Sequence, residues 1–134
     1  RPHSGDLGCV PAPDAAAPHR YRSLHEAILA GEVIACHDLS EGGLALAAAE
    51  MCIAGRLGAR LDSVGHDDVT VGLFSESMGR LLVEVAPQHV DSFLERFGDD
   101  ATVIGAVTDD GLLRLAGESI PVEQLVTAHT GDLR

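Results

Sequence analysis

The residues best equipped for chemistry stand together at 36–44, CHDLSEGGL, where Cys36, His37 and Asp38 run into Ser40, Glu41 and the pair Gly42–Gly43. A β-prone run, EVIAC at 32–36, precedes them and an Ala/Leu-rich run follows. A strand, a polar loop and a helix that opens on glycines offer unpaired N–H groups and the positive end of a helix dipole. Glycines also let a ligand or another backbone come close. The segment is not a Walker motif, since no GK[ST] follows, and the acids Asp38 and Glu41 would repel a bare phosphate. They suit a sugar hydroxyl, a Mg2+-bridged phosphate, or simply the capping and packing of a helix start. Metal ligation by the triplet fits poorly, because successive strand side chains point to opposite faces and no paired ligands stand at zinc-like spacing. A metal-dependent hydrolase built on His37 and Asp38 would need stoichiometric metal. Adjacency likewise keeps Cys36 and His37 from facing each other as nucleophile and base, so Cys36 reads as a small buried hydrophobe.

A second polar island lies at 73–85, LFSESMGRLLVEV. Ser75, Glu76 and Ser77 form a turn closed by Gly79, and Arg80 begins the run that follows. Hydroxyls, a carboxylate and a guanidinium at one junction can hold a polar metabolite. An ordinary hairpin turn has the same composition.

These islands need elements to position them. Ser23-Leu24-His25-Glu26 has capping-box spacing and predicts a helix to about Ala30, stopped by Gly31. EVIAC predicts a buried strand. Ser40 is the expected N-cap of a helix to about Ala54, closed by Gly55, with Leu44, Ala47, Ala48 and Met51 on one stripe. Short strands are expected at 59–62, 69–74 and 80–86, the last two joined by SESMG. Pro87 suits the first turn of a helix to Phe97, ended by Gly98. Asp109-Asp110-Gly111 predicts a hairpin between TVIGAVT and LLRLA, and a last helix is expected over 120–128. The sum is an α+β fold, an α/β sandwich with a mixed, antiparallel-leaning sheet packed by helices. Residues 1–19 hold four of the six prolines and read as an extended linker, leaving 20–134 as one domain.

Bulk properties narrow the partners. The 134 residues suit a single domain, and 46% hydrophobic with 3% aromatic content means an aliphatic core. A formal net charge of −12, with nine arginines and no lysine, repels phosphate backbones and excludes nucleic acid as the expected partner. No apolar run reaches the roughly 18 residues of a membrane helix, and residues 1–20 are polar and Pro-rich, unlike a secretory signal. Cys9, Cys36 and Cys52 are odd in number and lack CxxC spacing, as expected of reduced thiols in a cytoplasmic protein. The start at Arg1, without Met, reads as a piece of something longer.

Taken jointly the motifs carry a resemblance. H-D-L-S-E-G-G-L-A at 37–45, A-E-M at 49–51, A-G-R-L-G-A at 54–59, L-F-S-E-S-x-G-R at 73–80 and I-G-A-V-T at 104–108 follow in order. V-P-A-P-D at 10–14 and Y-R-S-L-H-E-A-I at 21–28 precede them. The set resembles the C-terminal domain of the aminoimidazole-ribonucleotide synthetase superfamily. Within it, the set is similar to the second such domain of phosphoribosylformylglycinamidine synthases, over about residues 10–130.

The resemblance implies part of a reaction in purine biosynthesis. Formylglycinamide ribonucleotide, ATP and glutamine-derived ammonia give formylglycinamidine ribonucleotide, ADP, phosphate and glutamate. It also implies that ATP and Mg2+ are bound mainly by N-terminal-type domains of the parent chain, with no cofactor expected on this domain and no activity by it alone. Implied partners are those domains, a glutaminase and a small accessory subunit; the short stretch after His129 leads us to expect no fused glutaminase. Homodimerisation of the isolated domain is left open. The residues expected to line the cleft are His37, Asp38, Ser40, Glu41, Gly42, Gly43, Ser75, Glu76, Ser77 and Arg80. In the other half of such a synthase an E-S-Q triplet at the position of 76–78 contacts the substrate. Glu76 and Ser77 match it, whereas Met78 lacks the amide. A free-standing ligand-binding module of the same fold, without ATP chemistry, is the alternative from another class.

Overall fold

A computed structural model describes residues 14–131. Most of the proline-rich segment, with Cys9 and Val10–Pro13 of the V-P-A-P-D motif, lies outside these residues. The chain runs through α1 (Ala17–Leu29), β1 (Val33–Asp38), α2 (Gly43–Gly55), β2 (Gly58–Leu61), α3 (Val69–Phe74) and β3 (Leu81–Val85). It continues through α4 (Val90–Phe97), β4 (Gly105–Thr108), β5 (Leu112–Leu115), β6 (Glu118–Pro121) and α5 (Val122–Gly131). The architecture is α+β, as expected.

The strands form two sheets. β1 and β3 pair antiparallel, with His37 opposite Leu82 and Asp38 opposite Leu81. The other sheet has the order β4-β2-β5-β6. In it β2 runs antiparallel to β4 and parallel to β5. α1 and α4 cover one face of the β1–β3 pair, where Leu24, Ala27 and Phe93 meet Val33, Leu81, Val83 and Val85. α2 occupies the centre. Its Ala48, Ala49 and Cys52 pack with Leu113 and Val122, and its Leu44 and Ala47 pack with Leu39, Leu61 and Leu82. The small side chains let one helix lie close to both sheets at once, because interiors fill to crystal-like density.

Several expectations are corrected. α1 begins at Ala17, so Ser23 is a buried mid-helix residue and not a cap. Asp14 turns the chain into this helix by accepting the Ala16 N–H at 2.9 Å, and Pro18 sits in its first turn, where its missing N–H costs nothing. The linker expected over 1–19 therefore gives way to helix at Ala17. α2 likewise starts at Gly43, three residues after Ser40, with Gly42 as N-cap in the left-handed region at φ 68°.

The most consequential difference is at 69–74, where the expected strand VTVGLF is the helix α3. The Asp68 side chain accepts the N–H groups of Thr70 at 2.8 Å and Val71 at 3.2 Å, a strong cap that overrides the β-propensity of two valines and a threonine. Gly72 lets the helix press on Val64, and Gly72 and Leu73 are buried.

The Asp109-Asp110-Gly111 turn does join β4 to β5, but the two strands do not pair, because β2 lies between them. The true hairpin is β5–β6, turned by Ala116 and Gly117 at φ 51° and 84°. Both central residues at positive φ mark the primed type of hairpin turn, which an Ala-Gly pair signals weakly. The last helix follows β6 and begins at Val122. Finally, β1 alternates half-buried Val33, Ala35 and His37 with exposed Ile34, Cys36 and Asp38, so Cys36 is not the buried hydrophobe expected.

Candidate functional site

The two polar islands meet. After β1 the chain passes through Leu39, whose N–H donates to the Arg80 carbonyl at 3.2 Å and extends the pairing with β3. The Gly42 N–H, left free by the helix geometry, donates to Glu76 Oε1 at 2.9 Å. Gly43, at φ 62°, backs onto the end of α3 so tightly that a Cβ there would lie 2.7 Å from the Leu73 carbonyl oxygen and 2.9 Å from that of Ser75. Only glycine fits. On the far side of the turn, the Arg80 guanidinium donates to Ser75 Oγ at 2.7 Å and to the Ser75 carbonyl at 3.4 Å. SESMG is thus the connection from a helix to a strand, held at one end by α2 and at the other by Arg80.

Between the islands opens a shallow cleft of about 400 Å3, lined by Asp38, Ser40, Glu76, Ser77 and Arg80 with Tyr21, Leu39, Met78, Gly79 and Leu81. Five of the expected site residues therefore share one surface. The other five take different places. His37 turns away toward α2, its Nε2 2.8 Å from Glu50 Oε2 and its Nδ1 2.6 Å from the Asp38 carbonyl oxygen. Glu41 is exposed and does not line the cleft. Gly42, Gly43 and Ser75 do not line it but hold Glu76, the end of α3 and Arg80 in place.

Tyr21 was missed from the sequence. It heads the Y-R-S-L-H-E-A-I motif, and its position on α1 next to Gly79 follows from the helix starting at Ala17.

The Ser40 hydroxyl is the main cause that holds the Asp38 carboxyl below its ordinary pKa, helped by its own backbone N–H and by His37. Asp38 is therefore an anion near neutral pH. The Cys36 thiol is pushed up, first by desolvation and then by the Asp38 carboxylate. That is the reverse of an activated thiolate, and Cys36 and His37 lie on opposite faces of β1. Among the described residues no three His, Cys, Asp or Glu side chains converge as metal ligands. In the cleft one of the two carboxylates, Glu76, is already engaged by Gly42. The residues present do not make a magnesium site by themselves. What the cleft offers is an anion, a cation and several hydroxyls on an open surface, suited to hydrogen-bonding a polar ligand or a facing protein surface.

Comparison with known proteins identifies the family. The family described as AIR synthase related protein, C-terminal domain, matches residues 4–118. A phosphoribosylformylglycinamidine synthase subunit PurL from Corynebacterium ammoniagenes is 44% identical over 105 residues, covering 75% of this chain and 14% of that protein. The PurL subunit of a Parafrankia species is 41% identical over 139 residues, covering 96% of this chain and 18% of its own length. The chain thus spans less than a fifth of these relatives. Among solved structures, PurLQS from Thermotoga maritima matches 90% of this chain and 23% of its own, with a TM-score of 0.76 at 24% identity. T. maritima PurL complexed with ATP matches 78% of this chain and 20% of its own, with a TM-score of 0.63 at 25% identity. The sequence relatives and the shared fold agree: the chain is a PurL-type C-terminal domain and belongs to the family of AIR synthase related proteins, C-terminal domain.

Proposed function

We propose that this chain serves as the second C-terminal-type domain of a phosphoribosylformylglycinamidine synthase, supplying scaffold and one wall of a cleft. The observation that carries the reading is the Gly42–Glu76 bond, which joins the two family motifs into a single surface. In the parent reaction ammonia displaces an activated amide oxygen of formylglycinamide ribonucleotide at the expense of ATP. The N-terminal-type domains supply the nucleotide and Mg2+ sites, and the isolated domain is inactive. A glutaminase and a small accessory subunit complete the assembly, in the cytoplasm. The engagement of Glu76 with the protein's own backbone and the apolar Met78 beside it support a cleft wall over a substrate site.

Isothermal titration of the chain with ADP–Mg2+ and with formylglycinamide ribonucleotide tests this. The expected result is no heat with either. Binding that Asp38→Ala abolishes would overturn the scaffold reading in favour of a self-sufficient ligand-binding module.

A further inference from the structure

β4 ends its sheet with an open edge, since the strand order is β4-β2-β5-β6. On the inner side the Ile104 carbonyl accepts the Asp62 N–H at 2.8 Å, and Ala106 stands opposite Arg60 two residues further on. Strand alternation then turns the N–H and C=O groups of Gly105 and Val107 outward. Among the described residues no strand takes them. The run 101–108, ATVIGAVT, holds neither charge nor proline, the features that blunt exposed edges. Val103 and Val107, 60% and 44% exposed, stand two residues either side of Gly105, which leaves a notch between them on one face. Acids bracket the run, Asp99 and Asp100 before it and Asp109 and Asp110 after it, all exposed. Asp100 is shared with Arg20 at 3.3 Å and Asp110 with Arg114 at 2.7 Å. Each end thus keeps one carboxylate, Asp99 or Asp109, without a cation among the described residues.

We infer that the outer edge of β4 is a docking site for an extended segment of another polypeptide, apolar in its middle and carrying Arg or Lys at both ends, which adds to the sheet as a further strand. Main-chain hydrogen bonds to Gly105 and Val107 supply the attachment, and an apolar side chain in the notch between the valines sets the register. Charge decides the occupant. Two copies of this chain paired along β4, in either direction, bring the acids of one against the acids of the other at both ends, and like charges across strands are destabilising. A segment with cations at its ends meets Asp99 and Asp109 instead. The chain holds nine cations against 21 acids, which favours a donor outside it. The edge shares no residue with the cleft and does not depend on the synthase reading.

The probe is a fluorescein-labelled peptide, Arg-Arg-Val-Thr-Val-Thr-Val-Arg-Arg, with a counterpart in which Glu replaces each Arg. Both are titrated by anisotropy against this 134-residue chain. The basic peptide is expected to bind roughly tenfold or more tightly than the acidic one. It is also expected to slow amide exchange at Gly105 and Val107 roughly tenfold, with little change at Ala106, whose N–H already faces β2. Val107→Pro removes an outward N–H and is expected to abolish binding while the thermal midpoint stays close to that of the parent. Asp99→Asn combined with Asp109→Asn leaves the backbone intact and is expected to weaken binding roughly tenfold. No binding would overturn the inference. So would binding that leaves Gly105 and Val107 unprotected, which is adhesion of a basic peptide to an acidic chain. Concentration-dependent protection of these amides without peptide would assign the edge to a second copy. Their protection in the full synthase chain without peptide would assign it to the parent polypeptide, and either result overturns the inference.

Discussion

Glu76 Oε1 accepts the Gly42 N–H at 2.9 Å across 34 residues of sequence, and this one bond fixes the glycine loop to the turn after α3. It occupies a free N–H of the α2 start with a carboxylate, at the end of the helix where negative charge is favoured. Glu76→Ala is expected to lower stability by about 1 kcal/mol and to speed amide exchange at Gly42. Glu76→Gln, which keeps an acceptor oxygen, is expected to lose less than half of that. Urea unfolding with exchange measured at Gly42 checks it; equal losses for the two variants would show that the bond contributes nothing.

Gly43 should be the least replaceable residue of the motif. Gly43→Ala combines a positive φ with a Cβ driven against two carbonyl oxygens, and the obstacle is backbone, which cannot swing aside. A cost of roughly 3 kcal/mol or more is expected. Gly31 has a similar φ of 74° but nothing within 4 Å, so Gly31→Ala should cost only about 1 kcal/mol. The difference in denaturation midpoint at constant m-value separates the steric part from the conformational part.

Asp110 gives stability a pH dependence of known sign. Its carboxyl is held below the ordinary value first by the Thr108 hydroxyl, then by Arg114, with the Leu112 N–H adding to them. A carboxyl with a depressed folded pKa stabilises the fold above its unfolded value, about 3.9, and loses that contribution as pH falls through the folded value. Asp110→Asn is therefore expected to be less stable than the parent at pH 6 and to converge with it near pH 2. Urea unfolding at the two pH values checks this, and a gap that persists at low pH would point to packing.

Arg96 spans α4 and the start of β1. Its Nη2 lies 2.8 Å from Glu32 Oε1, on a residue only 9% exposed, while Glu32 Oε2 is buried without a partner among the described residues. Removing the cation leaves a poorly solvated carboxylate alone. Arg96→Ala should cost about 2–3 kcal/mol, less than a fully buried pair because the arginine is partly exposed. The double variant Arg96→Met with Glu32→Leu should recover most of it. Thermal unfolding of the single and double variants decides between an uncompensated charge and lost packing.

The sequence signals that worked were local and strong. Gly31 at the end of α1, Gly98 after α4 and Pro87 before it all took their expected places, because each fixes its own backbone; the stripe of α2 held only in part, since Ala49 and Cys52 are buried along with Leu44, Ala47 and Ala48 while Met51 is not. The signals that failed depended on distant partners. Val69–Phe74 has strand propensity, and only the Asp68 cap together with the press of Gly72 on Val64 makes it helical. The Asp109–Gly111 turn is real, yet nothing in it announces that β2 will lie between its strands. In the site, His37 and Asp38 were both expected to line the cleft, but strand alternation sends one to Glu50 and the other to the cleft. Tyr21 came into the site through tertiary packing alone.

The placement of β2 between β4 and β5 also has a consequence for synthesis on the ribosome. β2 is made early and pairs on both edges with strands made roughly 45–55 residues later, so it must wait with two open edges until nearly the whole domain has emerged. Vectorial growth cannot complete this sheet stepwise, and long-range pairings of that kind form slowly. The short, four-residue β2, carrying Arg60 near its middle, is a poor template for mispairing during that wait.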